Sequence, residues 1–235
     1  APPADVVADA EVTSADLGAK EARVLPDSPL YAFKRFGRGF RMAFTFNPAK
    51  EATLRLQYAN QQFADAKRLA ETKGVNDDVT KALERAQGDL RAIREDIGNL
   101  QDEKAKNPQA MNAFLERAAA TAFQQQKVMD HIAQDAPAAF REQIAERRDG
   151  VLNEVGAFMG GVDDPDAMRQ RFERAMEQQS GSAFKDFKNI EVLKRVEERV
   201  VMPERIIREL RSLREEVEKL KGELSRMREH APGPD

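Results

Sequence analysis

The chain has 235 residues, of which 34% are charged and 6% are aromatic, and it contains no cysteine. The lack of cysteine excludes a disulfide framework, thiolate metal sites and a cysteine nucleophile. A formal net charge of −3 gives no general attraction to nucleic acid, and no apolar run approaches the roughly 20 residues that span a bilayer. The composition favours long helices with solvated outer faces. We expect no nucleic-acid partner.

Residues 1–27 are mostly small or acidic and show no clear periodicity. Six acids stand against Lys20 and Arg23, so we expect an extended or flexible arm unless something binds it. The first residues, Ala1-Pro2-Pro3-Ala4, resemble the end left when a signal peptide is removed. They predict an extracytoplasmic protein, secreted, periplasmic or on the cell surface, although a chain trimmed at this point would look the same.

Helix start signals recur along the rest of the chain. At four places a capping side chain precedes a proline that would be the first helical residue: Ser28-Pro29, Asn47-Pro48, Asn107-Pro108 and Asp164-Pro165. With glycines as stops, the signals predict helices over 29–45, 48–73, 77–105, 108–134, 137–159, 165–179, 183–201 and 203–229. No segment shows convincing strand alternation.

Apolar stripes in three of these helices indicate how they pack. In the helix over 77–105, apolar residues recur at spacings of three and four: Val79, Leu83, Ala86, Leu90, Ile93, Ile97 and Leu100. Weaker stripes run along 108–134 and 137–159. Because short connections favour antiparallel neighbours, we predict an all-α fold, an up-and-down antiparallel helical bundle over 28–181. A C-terminal pair of long helices (182–230) and a short tail (231–235) would follow.

The predicted helix over 29–45 has two contrasting faces, with no acid between residues 28 and 46. The phenylalanines lie on one face and the cations on the other: Phe33, Phe36, Phe40 and Phe44 against Lys34, Arg35, Arg38 and Arg41. Such a helix can lie in a membrane interface with its cations toward anionic head groups. It can equally be the first helix of the bundle, with the phenylalanines in the core, since other large aromatics are few.

The most regular pattern is a heptad near the C-terminus. Its a and d positions are apolar: Ile206, Leu210, Leu213, Val217, Leu220, Leu224 and Met227. Three successive g positions are acids and three successive e positions are cations: Glu209, Glu216 and Glu223 against Arg214, Lys221 and Arg228. In a parallel pair of identical helices each g meets an e of opposite charge, whereas an antiparallel pair sets like charges together.

These charges favour parallel self-association through residues 203–229 and therefore a homo-oligomer. Two alternatives stay open, packing against the bundle of the same chain and pairing with a foreign helix. The helix over 77–105 is an obvious partner within the chain. Its own g positions include Asp89, Asp96 and Glu103, however, so antiparallel packing would set acid against acid.

Two short segments carry a family resemblance. Residues 25–31 read Leu-Pro-Asp-Ser-Pro-Leu-Tyr, and residues 44–48 read Phe-Thr-Phe-Asn-Pro. This combination resembles an uncharacterised domain family of exported bacterial and archaeal proteins, over about residues 13–105. The resemblance implies an exported helical domain and carries over no catalytic residue.

Recognisable catalytic or metal-binding chemistry is missing from the sequence. His131 and His230 belong to no HExxH-type pair, and neither a GxSxG motif nor a glycine-rich phosphate loop occurs. The acids around Pro165 (Asp163, Asp164 and Asp166) lack the spacing of a calcium loop and fit helix capping. Arg147 and Arg148 could extend to solvent or meet a buried acid.

We therefore expect no enzymatic activity, no metal and no cofactor. The sequence predicts a non-enzymatic extracytoplasmic structural or interaction protein that self-associates through its C-terminal heptad helix. The alternative is a peripheral membrane or lipid-binding protein that uses the basic, phenylalanine-rich helix over 29–45.

Overall fold

The computed structural model describes residues 47–179 and three single residues, Leu17, Glu198 and Lys219. The chain from 47 to 179 is all-α, as predicted, and these residues contain no strand. Its helices are α1 (Pro48–Lys73), α2 (Asp77–Glu95), α3 (Ile97–Lys106), α4 (Pro108–Asp135), α5 (Ala138–Val162) and α6 (Pro165–Gln179).

Capping side chains start four of these helices, three of them at the predicted asparagine or aspartate before a proline. The Asn47 side chain accepts a hydrogen bond from the Lys50 amide (2.9 Å), and Asn76 accepts from the amides of Asp78 and Val79. Asn107 and Asp164 cap α4 and α6 in the same way. Each cap satisfies amide groups that the first helical turn leaves without an intrahelical partner.

Two predicted boundaries were wrong. The helix expected over 77–105 is interrupted at Asp96, whose backbone (φ −100°, ψ 18°) leaves the α-helical region and whose carboxylate accepts from the Asn99 side chain. Short polar side chains compete with the helix for such hydrogen bonds, and the apolar stripe continues across the break. The helix expected over 137–159 also does not end at the glycines after residue 159, because α5 continues to Val162.

Four rods surround one core: α1, the broken pair α2–α3, α4 and α5. Helix α1 packs against α2 and α4, helix α5 packs against the same two, and α6 lies mainly on α4. Helices α1 and α4 run in the same direction, and so do α2 and α5. In each pair the contacting residues increase in number together along both helices: Asn60 with Gln125 and Glu71 with His131, then Glu84 with Arg147 and Arg91 with Glu154.

The predicted stripes form the core. Along α2 and α3 six of the seven stripe residues are at most 1% exposed, and Ile97 packs against the core at its edge. Leu17, the one described residue of the N-terminal arm, is 1% exposed and belongs to the same apolar cluster. The arm is therefore in the core at this residue, which the prediction of an extended or flexible segment did not anticipate.

Candidate functional site

Buried charge is concentrated at the turn between α5 and α6, beside α3 and α4. The guanidinium of Arg171, a residue only 7% exposed, donates to three acceptors. They are Asp163 Oδ2 at 2.7 Å, Glu116 Oε1 at 2.7 Å and Asn112 Oδ1 at 2.8 Å. One side chain of α6 thus contacts α4 twice and the turn that precedes its own helix once.

Asp163 takes a second cation from α3. Lys104 Nζ lies 2.9 Å from Asp163 Oδ1 and donates to the Val162 carbonyl at 2.8 Å. Arg174 adds an exposed contact with Glu116 at 2.7 Å. We call this set the Asp163 hub: Lys104, Asn112, Glu116, Asp163, Arg171 and Arg174.

The hub keeps Asp163 ionised. Burial raises the pKa of this carboxyl group, but hydrogen bonds from Arg171 and Lys104 and their positive charges outweigh burial, so the pKa lies below its ordinary value of 3.8. Both carboxylate oxygens are occupied by protein donors. This arrangement suits a clamp that joins helices, not an acid or base that exchanges protons with a substrate.

Sequence reasoning identified only part of this site. Asp164 caps α6, as expected, since its carboxylate accepts from the Ala167 amide at 2.8 Å, but Asp163 was assigned to capping and instead binds Arg171 and Lys104. A signal was available. Arg171 stands within the apolar stripe of α6, formed with Met168, Phe172 and Ala175, all buried. A charge on a buried face requires a buried partner.

A second buried acid joins α5 to α2. Glu154 is 5% exposed, and its carboxylate lies 3.3 Å from Arg91 Nε and 3.1 Å from Arg94 Nη1. Both arginine side chains are about half exposed. This cluster also joins helices, with its cations at the surface.

Arg147 and Arg148 of α5 were expected either to extend to solvent or to meet a buried acid, and both contact neighbouring helices. Arg148 pairs with Asp130 of α4 at 3.0 Å, and that carboxylate is half-buried. Arg147 donates to Gln87 at 3.2 Å and lies 3.7 Å from Glu84. Both arginines meet polar partners on neighbouring helices, so they extend the ties between α5, α2 and α4.

Several polar side chains of α1 and α4 are buried. Gln125 Nε2 donates to Asn60 Oδ1 at 2.7 Å, and both residues are at most 2% exposed. Gln62, Asp65 and Gln126 are buried as well. Gln125 Oε1 lacks a hydrogen-bond partner among the residues that the structure describes. An amide that is buried but only partly satisfied contributes less to stability than a complete network.

The described residues include neither a metal-binding cluster nor a membrane-spanning helix. Over 47–179 and the three single residues, no group of three His, Asp or Glu side chains is placed to hold a metal ion. His131 is 40% exposed and lies 3.8 Å from Glu71, in keeping with the expected solvated histidine. None of the described helices is both long and apolar enough to span a bilayer.

The predicted self-association and membrane faces lie outside the described residues. This holds for the heptad over 203–229, apart from Lys219, and for the whole helix over 29–45. Lys219 is helical and exposed and occupies an outward c position of the heptad. The self-association and membrane hypotheses therefore remain predictions.

The fold and the buried clusters define the class of protein: an all-α bundle whose helices are joined by buried ion pairs. Residues 23–139 match the model of a family described as Domain of unknown function (DUF5667). The match supports an uncharacterised domain family for this part of the chain. It begins later and extends further than the resemblance over about 13–105, and it covers α1 to α4 but neither α6 nor the heptad. Neither a curated protein nor a solved structure matches the chain.

Proposed function

We propose that the protein is a non-enzymatic structural or interaction protein of the cell exterior that self-associates through the helix over residues 203–229. The observation that carries this proposal is the charge pattern beside the apolar seam, with glutamate at three successive g positions and a cation at each of the three e positions that would face them in a parallel pair. Only parallel pairing of identical helices places every one of these charges opposite a partner of the other sign.

The clamps within the bundle support a structural role. Asp163, Arg171 and Glu154 are buried and bound to side chains of other helices. Such contacts are typical of a rigid helical bundle. The hub secures α6, the last helix described before the C-terminal segment. A heptad helix that joins two copies would then be linked to a helix held by ion pairs.

A charge-exchange experiment tests the proposal. One variant replaces Glu209, Glu216 and Glu223 with lysine; the other replaces Arg214, Lys221 and Arg228 with glutamate. Each variant alone sets like charges together in a parallel pair and is expected to be monomeric by size-exclusion chromatography with light scattering. An equimolar mixture of the two restores opposite charges and is expected to associate. The wild-type chain should associate without mixing.

Matched controls separate charge pairing from loss of fold. Glu215→Lys makes the same substitution at an outward f position and should leave the assembly unchanged. Circular dichroism should show equal helix content in all variants. A wild-type chain that stays monomeric at tens of micromolar, with no change after deletion of residues 203–235, would eliminate self-association. Association of either variant alone but not of the mixture would eliminate the parallel arrangement.

Peripheral membrane binding is the second candidate, favoured by the clean separation of phenylalanines and cations over 29–45. It predicts sedimentation with vesicles of anionic phospholipid that weakens with added salt. Phe40→Glu should reduce this sedimentation while helix content is retained. If Phe40→Glu unfolds the protein, the helix is part of the core and this candidate is rejected.

Export is proposed on the resemblance of residues 25–31 and 44–48 to exported domains. Fractionation of cells of the source organism, followed by detection of the chain with an antibody, tests this assignment. We expect the chain outside the cytoplasmic fraction. Recovery with cytoplasmic markers would contradict export and leave the self-association proposal to be judged by the charge-exchange result.

A further inference from the structure

Leu17 sets the N-terminal arm apart from an ordinary acidic tail. It is 1% exposed and belongs to the apolar cluster that α1 to α6 form, although thirty residues of chain separate it from the start of α1. Its sequence neighbours are small or charged, in the run Ala15-Asp16-Leu17-Gly18-Ala19-Lys20. A single large apolar side chain of this run therefore reaches the core.

We propose that Leu17 anchors the N-terminal arm in the core of its own chain, so that the bundle contains a docking site for a short acidic segment with one central leucine. Burial of a leucine side chain is favourable enough to hold a segment of chain in place, whereas an acidic run without such an anchor stays solvated. Since the chain between Leu17 and α1 closes a loop, the segment is presented to its site at a high local concentration.

The first experiment compares the full-length chain with Leu17→Asp. Limited trypsin digestion followed by mass spectrometry measures cleavage after Lys20 and Arg23, close to the anchor. A charge at position 17 cannot remain in the apolar cluster, so we expect cleavage at these two sites at least tenfold faster. Leu17→Met keeps the volume and the apolar character and should cleave like the wild type. Val7→Asp controls for an added charge elsewhere in the arm.

Hydrogen exchange in the native state separates a docked arm from an integral part of the core. With Leu17→Asp, amides of residues 11–23 should lose protection, while core amides such as those of Leu83 and Met129 keep theirs. If the core amides lose protection together with the arm, Leu17 is an integral core residue and the docking proposal is overturned. Unchanged cleavage in Leu17→Asp overturns it as well.

A peptide identifies the occupant of the site. A fluorescent peptide of residues 11–23 should bind to the Leu17→Asp chain, whose site is vacant, and at least tenfold more weakly to the wild type, whose site is filled. A peptide with aspartate at position 17 should bind to neither. Equal binding to both chains overturns the proposal. Protection of Lys20 that rises with wild-type concentration would mean that the arm of a second copy fills the site, and would overturn the assignment to the same chain.

Discussion

The Asp163 hub and the Asn60–Gln125 pair join helices of the same bundle by different means. The hub places an ionised carboxylate between two cations and gives Arg171 three acceptors. The pair on α1 and α4 consists of neutral amides joined by one hydrogen bond, with Gln125 Oε1 left unsatisfied within the described part of the chain. Removing one member of a buried ion pair leaves an uncompensated charge, which costs more than an unpaired amide.

This difference bears on what each cluster does. The charges of the hub make it hard to move α6 on α4, or the turn before α6 on α3, without a large loss of stability. The amides fix which residues of α1 and α4 face each other, at a modest energetic cost if both are replaced. The hub therefore holds α6 in its position, while the amide pair sets the alignment of α1 with α4. Four experiments test the contrast, beginning with the largest expected effect.

Arg171→Met should lower the free energy of unfolding of the bundle by about 3 kcal/mol or more, because it leaves Asp163 buried with Lys104 as its main cation. Urea unfolding followed by circular dichroism measures the change. Arg169→Met, two residues earlier, is the matched control. Its side chain is 51% exposed and pairs with Glu173 one turn later, so a loss below about 0.5 kcal/mol is expected. Equal losses in the two variants would show that the hub is not a clamp.

Asp163→Asn should cost about 2 kcal/mol at neutral pH, and this cost should depend on pH. Since the pKa of Asp163 is lowered on folding, the stability that its charge contributes is fully present above its unfolded pKa. It is lost as pH falls through the folded pKa, below 3.8. The free-energy difference between wild type and Asp163→Asn should thus be constant at neutral pH and shrink in acid.

Asp164→Asn is the control for the same substitution at the next residue. Asparagine is as good a cap as aspartate, and Asp164 is exposed, so stability should change by less than about 0.5 kcal/mol. A gap between wild type and Asp163→Asn that widens as pH falls would contradict the lowered pKa of Asp163.

The helices can be predicted from the sequence, but the contrast between the Asp163 hub and the Asn60–Gln125 pair cannot. The helices, their capping residues and the stripe from Val79 to Leu100 follow from spacing and cap chemistry, which act locally. The break at Asp96 does not, because the apolar stripe continues through it. Asn60 and Gln125 lie 65 residues apart, and pairing them requires knowing that α1 and α4 run side by side. The burial of Leu17 follows from no local pattern, because its sequence neighbours are small or charged.

The amide pair should behave differently from the hub when both members are replaced. Asn60→Leu alone leaves the Gln125 amide without its acceptor and should cost about 1–3 kcal/mol. Adding Gln125→Met removes the stranded amide, and the double variant should return to within about 1 kcal/mol of the wild type. A double-mutant cycle by urea unfolding gives the coupling energy. Additive losses would mean that the two side chains do not act as a pair.

The smallest expected effect is the loss of one hydrogen bond from a capping amide to a carboxylate. Asn47 caps α1 and also donates from Nδ2 to Glu103 Oε1 of α3 at 2.8 Å, and Glu103 is 8% exposed. Asn107 caps α4 and supplies the matched control. Asn107→Ala should cost about 1 kcal/mol, the usual value of a cap, and Asn47→Ala roughly 1 kcal/mol more for the lost donor to a carboxylate.

The excess should disappear when Glu103 is replaced by alanine, because Asn47 then acts only as a cap. Urea unfolding of the four variants that combine Asn47→Ala and Glu103→Ala measures this coupling. A zero coupling energy would mean that the contact between α1 and α3 contributes nothing. A positive coupling energy of about 1 kcal/mol would show that the hydrogen bond from Asn47 to Glu103 adds to the cap, by less than the cost of Arg171→Met.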